Sequence, residues 1–162
     1  MSMKLTSLIL LTAGIPMALS ASDCGSGTTL TPEDQLACDT VWTGDALKLG
    51  VNTSEATSAL LITGIDQAYL LTVPSSGVGY ATFEVPDWHI ELALYHAPDV
   101  KVTVTGGEAV ETLSTVSSCA EEPNLLKEVT LFHEWGAYPV TVSGPAGSQV
   151  WFMAFDPTQV TP

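Results

Sequence analysis

Two neighbouring stretches decide the fold: Trp88-His89-Ile90-Glu91-Leu92-Ala93-Leu94 and Val100-Lys101-Val102-Thr103-Val104. In each, large apolar residues recur at every second position, which is the signature of a strand with one buried face. Trp88, Ile90, Leu92 and Leu94 share one face. His89 and Glu91 share the other, which faces solvent on this reading. Ala97-Pro98-Asp99 separates the two stretches and reads as a turn.

The same period extends in both directions. Leu47, Leu49 and Val51 alternate before it, as do Tyr69, Leu71 and Val73. After it come Val110 with Leu113 and Val116 following a slip, then Val129 and Leu131, Val140 and Val142, and Val150 and Phe152. Pro74-Ser75-Ser76-Gly77, Gly106-Gly107 and Gly144-Pro145-Ala146-Gly147 supply turns between them. Residues 54–62 fit helix as well as strand. Short strands at regular spacing predict an all-β fold, a single jelly-roll-like β-sandwich of about eight or nine antiparallel strands over residues 45–162.

Residues 22–44 form a lead-in to that domain. Thr31-Pro32-Glu33-Asp34 predicts one short helix: Thr31 caps it, Pro32 suits its first turn, and the two acids favour the positive end of its dipole. The helix is expected to end near Cys38. Ahead of the lead-in, Lys4 precedes an apolar run over residues 5–19 that stops at Ser20, Ala21 and Ser22. This is the pattern of a secretory signal peptide, residues 1–21, and it predicts export to the periplasm or the extracellular space. The run is shorter than the roughly 20 residues a membrane-spanning helix needs. Ala21-Ser22-Asp23 before Cys24 is a poor lipobox, so a lipid anchor there is the weaker alternative.

The chain carries 18 acidic residues against four lysines and no arginine, a formal net charge of −14. Such a surface repels nucleic acid and anionic membranes at long range. Without arginine, bidentate guanidinium recognition of phosphate is excluded. A cation, a glycan or another exported protein remains as a partner, although solubility alone also accounts for the acids. Cys24, Cys38 and Cys119 are an odd number, so two are expected to pair in an oxidising compartment. Sequence does not choose the pair. Cys38 with Cys119 would staple the lead-in to the domain and is placed first.

Three stretches occur in an order that resembles the bacterial pre-peptidase C-terminal domains. Asp66-Gln67-Ala68-Tyr69-Leu70-Leu71-Thr72-Val73 is similar to the family's first signature, and residues 87–95 to its central strand. Residues 136–144, with Gly136-Ala137-Tyr138, are similar to its closing strand. The resemblance implies a non-catalytic accessory or binding β-sandwich, sometimes assisted by calcium. Ala68 departs from a second acidic position often found there, which weakens the calcium implication.

His89, His96 and His133, with Glu91 and Glu134 beside them, are the candidate metal ligands, since imidazole suits copper and zinc. Strand parity places His96 and His133 on the rim of one end of the sandwich, and His89 joins them only through a bend or bulge. Ordinary rim and surface histidines are the competing account. Of Trp42, Trp88, Trp135 and Trp151, Trp135 beside Gly136 is the candidate exposed platform for a sugar or peptide, whereas Trp88 falls on a core face. Enzymatic chemistry finds no motif. There is no Gly-x-Ser-x-Gly elbow, and His133-Glu134 is followed by Ala137 where a metalloprotease needs its second histidine. Glu121-Glu122 beside Pro123 reads as a solvated loop. Asn52-Thr53-Ser54 fits a glycosylation acceptor.

Overall fold

The computed structural model describes residues 30–111, 113–116, 119 and 124–161. The proposed signal peptide, Cys24, and the pair Glu121-Glu122 lie outside the described residues. Two β-sheets face each other. The first has strand order β1-β3-β11-β5-β9-β7, with β8 also pairing β9; the second has order β2-β4-β10-β6. The strands are β1 Asp45–Lys48, β2 Leu60–Ile62, β3 Ala68–Thr72, β4 Val78–Val85, β5 Ile90–His96, β6 Lys101–Val104, β7 Glu108–Ala109, β8 Ser114–Val116, β9 Leu125–Phe132, β10 Gly136–Ser143 and β11 Gln149–Phe155. The fold is the all-β sandwich that the alternation predicts. Its strand count reaches eleven because β2, β7 and β8 are two or three residues long, too short to carry a period. Two pairs, β1 with β3 and β2 with β4, are parallel rather than antiparallel.

Between the sheets lies the main core, built from Leu71, Phe83, Leu92, Phe132, Val142 and Phe152, all fully or almost fully buried. Phe83 sits at its centre, 5.8 Å from the Phe132 ring and 6.2 Å from that of Phe152. A second apolar layer covers the outer face of the first sheet, where Ala93, Tyr95, Met153 and Phe155 pack under the helix. That explains why β5 and β11 are buried on both faces and why their alternation fades into continuous apolar runs.

The helix α1, Pro32–Thr40, begins as its sequence predicts, with the Thr31 hydroxyl accepting from the Asp34 amide. Tyr95 donates its hydroxyl to Asp34 at 2.8 Å, and Lys127 lies 3.3 Å from Glu33 and 3.4 Å from Asp34. Burial, reinforced by the Asp34 and Glu33 charges, pushes the Tyr95 ionisation far above the ordinary phenol value, so the hydroxyl stays a donor. Cys38 bonds to Cys119, the pairing placed first from sequence, and fixes the helix over this layer. The segment 53–58, left between helix and strand by its sequence, is a 3₁₀ helix that leads into β2. Among the described residues no helix is long and apolar enough to cross a membrane.

A candidate binding end of the sandwich

Three chain segments pass from one sheet to the other at the same end. Residues 86–89 lead from β4 to β5, residues 105–107 from β6 to β7, and residues 133–135 from β9 to β10. Pairing forces them together: Val85 lies opposite Gly136 in one sheet, Ile90 opposite Phe132 in the other, and Glu108 opposite Leu131. Residues one or two positions beyond these pairs therefore meet.

His89 and His133 are the result. Their Nδ1 atoms stand 3.5 Å apart and their rings pack edge to face with centroids 5.5 Å apart. The Glu108 carboxylate reaches Nε2 of His133 at 3.1 Å. His89 adopts φ 49°, the only described non-glycine residue with positive φ. This left-handed turn is the bend that sequence required before His89 could join another histidine, and histidine tolerates it better than a β-branched residue would. Gly136 completes the opposite segment at φ 135°, a conformation that favours glycine.

The bend also corrects the parity reading of Trp88. Strand β5 starts only at Ile90, so Trp88 does not continue the core face and is 56% exposed. Trp135 is 62% exposed, as its place beside Gly136 suggests. Glu91 and His89 are both exposed, and both line an open cleft of about 400 Å³ with Asp87 and Asp156. Glu134 contributes a backbone carbonyl to the Tyr138 hydroxyl. The carboxylate at the histidines is instead Glu108, which sequence did not single out.

His96 does not belong to this group. It lies at the far end of β5, opposite Leu126, while His133 follows the end of β9 that pairs with Ile90. Six residues of extended strand separate the two ends, about 20 Å. The expected meeting of His96 with His133 is therefore incorrect. β5 and β9 run antiparallel, so His96 and His133, each at the C-terminal end of its strand, lie at opposite ends of the sheet. Phe132 rather than Leu131 faces the main core. Among the described residues no group of three or more His, Cys, Asp or Glu side chains is arranged to hold a metal ion.

His96 is 3% exposed, and its Nδ1 lies 2.8 Å from the Ala97 carbonyl. Against a carbonyl that nitrogen must donate, which leaves Nε2 with the lone pair. Burial lowers the His96 pKa; the Ala97 contact and the Glu128 charge oppose the shift but do not cancel it. The folded protein thus resists a proton that the unfolded chain accepts near the ordinary value of 6.5. Stability from this site is complete above that pH and falls as pH drops through it. Melting temperatures between pH 7.5 and 5 are expected to decline more steeply for the native chain than for His96→Gln. Parallel declines would show that His96 does not titrate differently on unfolding.

No family model matches this chain. No curated protein is detectably similar to it.

Proposed function

We propose that the protein is an exported, acidic, non-catalytic binding or accessory module that meets its partner, a glycan or another exported protein, at the end formed by residues 86–89, 105–107 and 133–135. The observation that carries this reading is the exposure of Trp88 and Trp135 on adjoining segments of a rigid sandwich. An indole held on a stiff frame offers large contact area at little conformational cost. The resemblance to pre-peptidase C-terminal domains supports the same role, as does the absence of a catalytic motif from the sequence. Titration of tryptophan fluorescence with chito-, cello- and xylo-oligosaccharides is expected to give a blue shift with at least one of them. Trp135→Ala should weaken that response by roughly tenfold, the effect of losing about 1.4 kcal/mol of stacking. Release of new reducing ends, or a response that survives Trp88→Ala combined with Trp135→Ala, would refute the reading.

A second reading, a copper or zinc site, rests on the 3.5 Å between the two Nδ1 atoms. Two imidazole nitrogens on one tetrahedral ion, each at about 2.0–2.1 Å, stand about 3.4 Å apart. Glu108 on the far nitrogen of His133 occupies the place of the carboxylate that commonly orients a metal-bound histidine. Water or a ligand donor would fill the remaining positions. Micromolar Cu²⁺ is then expected to quench the fluorescence of Trp88 and Trp135. His133→Ala should abolish the quenching and His96→Gln should leave it intact. Equal quenching in the His133 variant would remove the histidine pair as the site.

A further inference from the structure

An open cavity lies away from that end, on the side where the second sheet stops at β6 while the first continues through β9 and β7. It is open to solvent, measures about 620 Å³, and is walled by Val100, Val102, Val110, Leu113 and Leu126. A second hollow of about 310 Å³ continues it along β6 and shares Lys101, Val102, Ala109 and Glu128 with it. The size and apolar lining are those of a small-molecule site.

Beside Lys101 and Glu111, which also line the cavity, two polar groups stand among the apolar walls as acceptors. Phe132 and Thr130 face inward, so the two-residue period of β9 turns Glu128 inward as well, where it lines both hollows. Glu128 makes no ion pair among the described residues, although it is half-buried. A carboxylate beside apolar walls normally acquires a cationic or hydrogen-bonding partner. Lys101 lines both hollows but is exposed and makes no ion pair with Glu128 among the described residues. The second group is His96, nine-tenths buried, whose Nδ1 is committed to Ala97 and whose Nε2 therefore only accepts.

We propose that this cavity binds a primary ammonium group carried on an aliphatic or aromatic body. The N–H bonds of the ammonium are donated to the Glu128 carboxylate and to His96 Nε2, and the hydrocarbon body lies against Val100, Val102, Val110, Leu113 and Leu126. The chemistry is selective. An anionic head meets two carboxylates, Glu111 and Glu128, against the single exposed ammonium of Lys101. An alcohol satisfies a single acceptor and leaves the charge unpaired. The acidic surface raises the local concentration of cationic ligands at the mouth. This site is independent of the histidine and tryptophan end, so either assignment can fail without the other.

The test is a titration of the ¹⁵N-labelled exported chain with hexylamine, hexanol and hexanoate at pH 7.5, followed by amide chemical shifts. Hexylamine should move Val100, Val102, Val110 and Leu126 and bind at least tenfold more tightly than hexanol, with hexanoate weakest. Glu128→Gln should lose that tenfold preference while its hexanol affinity and melting temperature stay unchanged or rise. Leu113→Ala, at an exposed position where misfolding is not a concern, should weaken amine and alcohol alike by several-fold. Equal affinity for amine and hexanoate, an amine affinity unaffected by Glu128→Gln, or shifts confined to the Trp135 end would each overturn the proposal.

Discussion

Removal of the Cys38–Cys119 bridge, by reduction or by Cys38→Ala with Cys119→Ala, is expected to cost about 4 kcal/mol of stability. The bonded cysteines are 81 residues apart in sequence, so the bridge closes a loop that spans most of the described strands. Chain-entropy arguments give roughly 4–5 kcal/mol for a loop of that length, with native-state effects adding or subtracting. A second contribution points the same way. Helix α1 has only nine residues, too few to persist alone in water. Its remaining ties are the Tyr95–Asp34 hydrogen bond, the Lys127 ion pairs and the apolar contacts of Ala37 and Val41. Without the bridge, α1 frays more easily and uncovers the layer over Tyr95, Met153 and Phe155. The expected fall in melting temperature is about 15 °C for a domain of this size. Guanidinium unfolding of the double alanine variant measures it without freed thiols. A loss under about 1 kcal/mol would mean that the bridge restrains little of the unfolded chain.

What could be read from the sequence and what could not divide along a physical line. Alternation reports which face of a strand is buried, so the core positions Tyr69, Leu71, Val140, Val142, Val150 and Phe152 were legible. The turn glycines were legible for the same local reason: Gly77, Gly106 and Gly147 take positive φ where the sequence marks turns. The Thr31 cap and Pro32 announced α1. Partner choice is not local. Nothing in the alternation says that β1 runs parallel to β3, or that a two-residue strand at Glu108 pairs with Leu131. Glu108 was therefore missed as the carboxylate beside His133. The failure at Trp88 has the same origin, since one left-handed residue at His89 resets the parity of everything before it. The continuous run at residues 92–95 did carry a signal of burial on both faces, but its cause, the helix docked outside, lies some 55 residues earlier in the chain. The two histidines that meet do so because neighbouring crossovers share an end of the sandwich. That is a consequence of topology.

Phe132→Ala is expected to cost about 3–5 kcal/mol and to loosen the binding end at the same time. Phe132 is completely buried, packs 5.8 Å from Phe83 and 4.9 Å from Tyr138, and is the last residue of β9 before His133. Its ring also fills the space beside Gly107, where even a methyl group would come within 2.9 Å of it. The ring therefore braces two of the three crossovers, and the cavity left by alanine removes that support from both. The backbone pairing of Ile90 with Phe132 survives truncation, so the sandwich should still fold while His133 gains freedom. Denaturant unfolding gives the stability loss. Fluorescence titration at a temperature where the variant is fully folded gives the separate loss of Cu²⁺ or oligosaccharide response. Phe132→Leu, which retains most of the volume, should cost under about 1.5 kcal/mol and keep that response. If the alanine variant lost stability but bound as the native chain does, the arrangement of His89, His133, Trp88 and Trp135 would not depend on this brace, and the crossovers would have to be held by their own strand pairing alone.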